Sequence, residues 1–286
     1  MADRSASAPA ARRRPTVVVT RPQEDAGRWV EALQTRGWST LALPLIDIRA
    51  PSSPGVLAVL DQARASWWTF DALMFVSAAA VRHFFTGVHV PPPSCGRNTR
   101  FWAPGPGTAR ELAQALAKLG IPADRLDAPP ADAGQFDSEH LWPQVQAQMG
   151  MGRRLLVVRG GGAAGQPQGA GVSAGQGREW LTAQCRARGA EVQACMAYER
   201  CPPPEDDELR QKALDSRGPW SVWLFSSSEA VTNLRLWLPG FTADGASALA
   251  THPRIAETAT MAGFARVLIS RPALPDVLAA LESQWP

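Results

Sequence analysis

The stretch at 16–48, TVVVTRPQEDAGRWVEALQTRGWSTLALPLIDI, decides the fold. It opens on a β-branched run, passes through an amphipathic segment, turns at Arg36-Gly37 and closes on a second apolar run. Period-2 and period-3.6 patterns in that succession predict a strand–helix–strand unit. The same plan returns further on, where RLLVVRG (154–160) leads into GREWLTAQCRARGAEVQACMAYER (177–200), with Arg188-Gly189 before the closing strand. Two more segments are also written twice. ALMFVSAAAVRHFF (72–85) matches SVWLFSSSEAVTNL (221–234) as strand, serine turn and helix. RFWAPGPGTARELAQALAKLGIPADRL (100–126) matches ALATHPRIAETATMAGFARVLI (248–269). Three segments recur in one order, so the chain is an internal duplication of a β/α set.

Short apolar strands alternating with helices of ten or more residues predict α/β architecture, with two doubly wound parallel sheets covered by helices on both faces. Helix starts are marked by the capping-box spacings Ser226/Glu229 and Thr108/Glu111, and by Pro106 and Pro253 in first turns.

Composition narrows the function. The 286 residues suffice for two domains, and 45% apolar with 19% charged residues describes a globular chain. A net charge of +3 argues against a general nucleic-acid binder, and no apolar run is long enough to span a bilayer. Residues 1–14 are rich in Ala, Ser and Arg without an apolar core, which predicts a disordered extension of a cytoplasmic protein. Cys95, Cys185, Cys195 and Cys201 have no metal-ligand spacing with the histidines, so no metal site is expected.

One motif points elsewhere. In RGGGAAGQPQGAGVSAGQG (159–177), Gly160, Gly162 and Gly165 fit a dinucleotide-binding fingerprint. That turn needs its third glycine packed on a helix and an acid after the next strand, and neither is in place. Its counterpart in the first copy, TRPQEDAGR, has no such glycines. The stretch reads as an elongated loop, and no cofactor is expected.

VVVTRP (17–22), PLIDI (44–48), FVSAAAV (75–81), GPGTARELAQALAKLG (105–120), FDSEHL (136–141), RARGAEV (186–192), AYER (197–200), FSSSEAV (225–231) and HPRIAETATMAGFARVLISRP (252–272) together resemble the uroporphyrinogen-III synthase family. No single motif is specific, but their order and spacing are. The resemblance implies two similar flavodoxin-like domains joined by a two-stranded β-ribbon. Residues 15–45 and 202–286 would form one domain, 51–194 the other, and 44–50 with 195–201 the ribbon. It implies cyclisation of hydroxymethylbilane to uroporphyrinogen III, with loss of water and inversion of ring D, in a cleft between the domains. It also implies a monomer without cofactor, whose transient partner would be hydroxymethylbilane synthase.

The site expectations follow. The substrate carries eight carboxylates, and helix N-termini after strands offer free N–H groups and a positive dipole end. The turns are Ser77, Ala78 and Ala79; Gly105 to Thr108; Arg159 and Gly160; Ser226, Ser227 and Ser228; and His252 with Arg254, with Arg21 at the first. Each serine has N-capping as its alternative role, and each arginine a solvated turn. Tyr198, the single tyrosine, falls where the family carries one thought to assist hydroxyl departure; packing within the ribbon is the other reading. Family members often have a Gly-Pro-Thr-Thr type of turn in the last repeat, where this chain has HPRI, so Ile255 replaces a hydroxyl residue. His252 is open between N-cap and carboxylate contact. A two-domain protein that clamps a small anion without chemistry would share these features.

Overall fold

The computed structural model describes residues 14–88, 98–130, 138–162 and 176–285. Cys95, residues 1–13 and residues 163–175 of the glycine-rich stretch lie outside them. The first elements are β1 (Thr16–Val19), α1 (Gln23–Thr35), β2 (Thr40–Ala42), β3 (Asp47–Arg49), α2 (Pro54–Ser66), β4 (Ala72–Phe75) and α3 (Ala78–Phe85). Next come β5 (Arg100–Trp102), α4 (Pro106–Lys118), β6 (Leu126–Asp127), α5 (Ser138–Val145), β7 (Arg154–Gly162), α6 (Gln176–Ala187) and β8 (Glu191–Cys201). The last are α7 (Asp207–Asp215), β9 (Ser221–Phe225), α8 (Ser228–Trp237), β10 (Ser247–Ala250), α9 (Pro253–Met261), β11 (Arg266–Ile269) and α10 (Leu274–Gln284).

The chain divides into two compact units, Met1–Asp47 with Pro202–Pro286, and Ile48–Cys201. The first holds a parallel sheet in the order β11-β10-β9-β1-β2. The second holds the order β3-β8-β7-β4-β5-β6, parallel from β8 to β6. The doubly wound expectation is met in both. Alternate residues of the central strands feed two layers. Val222 and Leu224 join Val17, Val19, Trp29 and Leu33 on one face, while Trp223 and Phe225 meet Phe241 and Phe264 in edge contacts on the other. In the second unit Leu73 and Phe75 pack towards Phe84 and Leu112, and Ala72 and Met74 towards Leu141 and Leu181. Burial on both faces is what a parallel sheet requires, and each large side chain so buried stabilises by roughly 1.5–3 kcal/mol.

Residues 195–201, expected to form a two-stranded ribbon with 44–50, belong to β8, and β3 from the other segment is the edge strand paired beside it. Two other sequence expectations are corrected. Residues 159–162, expected in a loop, continue β7 to nine residues, so Arg159 and Gly160 lie in a strand instead of a turn. The capping boxes also shift. Ser227, not Ser226, caps α8, with its Oγ accepting from Glu229 N at 3.2 Å. Gly105 is the N-cap of α4, which places Thr108 inside the helix, buried, and leaves Glu111 to pair with Arg82 of α3 at 3.0 Å.

The turns at Gly37 and Gly189 do what the sequence predicts. Both glycines have left-handed backbones (φ 76° and 85°). At Gly189 an added Cβ would stand 3.3 Å from the Met151 backbone, so conformation and space both select glycine there.

Candidate active site

In a parallel doubly wound sheet, ligands gather at the carboxyl edge where the strand order reverses. In the first unit the order reverses between β1 and β9: β2 lies on one side of the pair, β10 and β11 on the other. Arg21 follows β1 and Ser226–Ser228 follow β9, so these candidates flank the reversal. In the second unit the order reverses between β4 and β7. Ser77 follows β4, and Gly160 lies in β7 two residues beyond Val158, the partner of Phe75.

At the first reversal Arg21 lies in a largely desolvated position. Its guanidinium stacks over Trp29, 4.5 Å from the ring centroid, and its Nε is buried without a hydrogen-bond partner. Burial lowers its pKa from the ordinary guanidinium value, with Asp25 opposing and Arg28 adding to the shift, yet an arginine stays charged at neutral pH. Nearby in the chain order of the site, the Ser228 Oγ is also buried without a partner. The Thr20 hydroxyl, beside Arg21 in sequence, donates to Leu224 O at 2.7 Å and ties β1 to β9. The Arg21 Nε and the Ser228 hydroxyl, both unsatisfied, follow the two strands that flank this reversal. Such groups suit a carboxylate.

The second reversal holds Tyr198. It is 5% exposed, and its Oη lies 3.1 Å from Ser77 Oγ. Ser77 also caps α3, its Oγ accepting from Ala80 N at 3.1 Å. The backbone aims the phenol. β7 and β8 run in register through Arg159 and Met196, then Gly160 pairs with Tyr198, so Ala197 is an extra residue on β8. Strand residues normally alternate faces, but this bulge lets Cys195, Ala197 and Tyr198 all join one core cluster. Gly160 completes the seat. An added Cβ there would fall 2.7 Å from the ring Cε1 and closer still to Cζ, so only glycine leaves room for the phenol. The next residue, Glu199, is buried and accepts from Ser52 N and Oγ at 3.1 Å each.

The remaining candidates are placed as follows. Ala78 and Ala79 open α3, and Ala80 supplies its capping N–H. His252 caps α9 through Nδ1, which accepts from Arg254 N at 3.2 Å. Arg254 and Arg159 are exposed, and Ile255 is buried in α9. Sequence reasoning missed the bulge, the Gly160 seat and the buried Glu199; only the glycine triplet opposite AYER hinted at the second. Among the described residues no cluster of His, Cys, Asp and Glu could hold a metal ion, and no helix is long and apolar enough to cross a membrane.

Fold and site thus define a duplicated, doubly wound α/β protein with Arg21, Ser228, Ser77 and Tyr198 at the two points where its sheets reverse their strand order. A family model described as "Uroporphyrinogen-III synthase HemD" matches residues 27–279. The uroporphyrinogen-III synthase of Synechococcus elongatus is 30% identical over 227 residues, covering 76% of this chain and 72% of the relative. That of Chlorobaculum parvum is 27% identical over 248 residues, covering 86% and 85%. The crystal structure of the Helicobacter pylori uroporphyrinogen-III synthetase has a similar fold, with a TM-score of 0.54 over 94% of this chain and 99% of that one at 15% identity. The chain belongs to the uroporphyrinogen-III synthase family, and hence to the enzymes of tetrapyrrole biosynthesis.

Proposed function

We propose that the chain is a hydro-lyase that cyclises hydroxymethylbilane to uroporphyrinogen III, as a cytoplasmic monomer needing no metal or cofactor. The bilane's hydroxyl leaves with the C–O electron pair while a pyrrole nitrogen supplies electrons, giving an electrophilic azafulvene. Ring D attacks through its substituted carbon, and the spiro intermediate breaks and recloses with loss of a proton. Hydroxide and proton together make the water released. Left alone, the bilane closes without inversion, so the protein's work is to hold one conformation and stabilise spread positive charge. Arg21 and the helix N-termini after β4, β5, β9 and β10 would hold acetate and propionate groups, and the Tyr198 phenol would donate to the departing oxygen.

The observation that carries this reading is the pair of unsatisfied buried groups, Arg21 Nε and Ser228 Oγ, at one sheet reversal, with the seated Tyr198 phenol at the other. A bare anion clamp has no use for the second. The test is to supply freshly generated hydroxymethylbilane and separate the product isomers. The type III isomer is expected; the type I isomer alone, at the uncatalysed rate, would leave an anion-binding protein.

A further inference from the structure

Ser77 Oγ has two neighbours that constrain its single proton. Ala80 N–H can only donate, so it occupies an Oγ lone pair at 3.1 Å. The second neighbour is Tyr198 Oη, also at 3.1 Å. Two arrangements are open. If the phenol donates to Ser77, the serine oxygen accepts twice and the phenol's proton is consumed inside the protein. If Ser77 donates to the phenol, the chain runs Ala80 N–H to Ser77 to Tyr198, and the phenol keeps its proton for a further acceptor. The second order is the one the α3 N-terminus favours. An N–H at the positive end of a helix polarises the oxygen it donates to, which strengthens that hydroxyl as a donor in turn. The ring is held between the Gly160 backbone, the buried cluster around Ala197 and the His83 ring, whose centroid lies 5.8 Å away, which keeps Oη beside Ser77.

We infer that Ser77 is a positioning residue for Tyr198: it donates to the phenol oxygen and so leaves the phenol's own proton directed at the substrate's departing hydroxyl. The inference rests on the cyclase reading above and adds a hydrogen-bond direction to it. It separates two roles for one serine, since capping requires only an acceptor whereas orienting the phenol requires a donor.

The experiment uses the full chain, hydroxymethylbilane, and the variants Ser77→Asp, Ser77→Thr, Ser77→Gly and Tyr198→Phe. An aspartate caps a helix as well as serine does but, ionised, can only accept. Ser77→Asp is expected to keep its melting temperature and to lower kcat as far as Tyr198→Phe does, while its negative charge at the α3 N-terminus, where substrate carboxylates would sit, raises KM. Combining the two substitutions should cost little more than either alone. Ser77→Thr, which keeps both roles, should retain kcat within a few-fold. If the aspartate variant fails to fold, Ser77→Gly, which caps a helix nearly as well but has no donor, should fall towards the Tyr198→Phe kcat, wild-type kcat there overturning the inference. Wild-type kcat in a folded Ser77→Asp would overturn the inference and leave Ser77 a cap. So would a raised KM with unchanged kcat, which would make it a substrate contact. A wild-type chain that forms no type III product overturns the cyclase reading itself, and this inference with it.

Discussion

Tyr198 is buried and Arg21 half-buried with its Nε enclosed, yet the two enclosures have opposite consequences. The phenol is satisfied by Ser77, so removing its hydroxyl should leave the fold intact. Tyr198→Phe is expected to lower turnover by about ten- to a thousandfold, the span for one hydrogen-bond donor to a leaving group or oxyanion. The product should remain type III, because in the proposed mechanism geometry selects the ring and the phenol only assists departure; isomer analysis of the variant checks both. Arg21 is different. Desolvation of its charge is offset by stacking on Trp29 and by Asp25, while its Nε goes unmatched. An incompletely matched buried cation costs stability that only a bound anion recovers. Arg21→Met keeps the packing against Trp29 and removes the charge. Its KM should rise by tenfold or more, as expected for a charged hydrogen bond of roughly 1.5–3 kcal/mol, while its melting temperature stays level or climbs. A variant that loses stability along with affinity would make Arg21 a structural residue.

At the scale of elements, the strand–helix alternation, the duplication and the Gly37 and Gly189 turns were legible because each leaves a local mark. The bulge in β8 left none. CMAYERC reads as an unbroken strand, and the extra residue at Ala197 becomes visible only against the register of β7. The glycines of 160–162 misled for a related reason: glycine has low strand propensity, so three in a row read as loop. At Gly160 and Gly161 the absent side chains make room for Tyr198 and Met196 of the neighbouring strand. Cap positions slipped by one among the three serines 226–228, since any of them can accept from a helix N–H. The Asp127 cluster was equally hidden: it joins Arg100, at 2.9 Å to Nε, and Gln148, at 3.0 Å, across separate elements. The β7–β8 pairing carries its own prediction. Gly160→Ala should lower kcat towards the Tyr198→Phe level while KM moves little, because the methyl displaces the phenol without touching a carboxylate receptor. Normal kcat in a folded Gly160→Ala would show that the seat tolerates a shifted ring.

For the whole molecule, two buried thiols among the described residues set an alkaline limit. Burial pushes Cys185 up to about 11, against the pull of Arg186 and Arg188, and Cys195 up to about 12, against Arg64. Both values exceed that of an unfolded thiol, about 8.5, so the folded state holds its protons longer. These groups therefore leave stability unchanged below about pH 8 and draw it down as pH rises towards 11. Urea midpoints measured from pH 7 to 10.5 should stay flat and then fall, with a shallower fall in a Cys185→Ala/Cys195→Ala chain. Connectivity sets an order in time as well. β1 pairs with β9, and Thr20 bonds Leu224 across 204 positions of sequence, whereas Ile48–Cys201 is uninterrupted. A ribosome therefore finishes the inserted unit while Val17–Val19 still have no neighbour on the β9 side. The insert enters and leaves through the adjacent strands β3 and β8, so once folded it behaves as a short turn, and the entropy of closing the long loop has already been met. A nascent chain held on the ribosome by a tether long enough to expose Cys201 should protect β3 to β8 from protease while the β1–β2 segment is cleaved, until β9 emerges and pairs with β1.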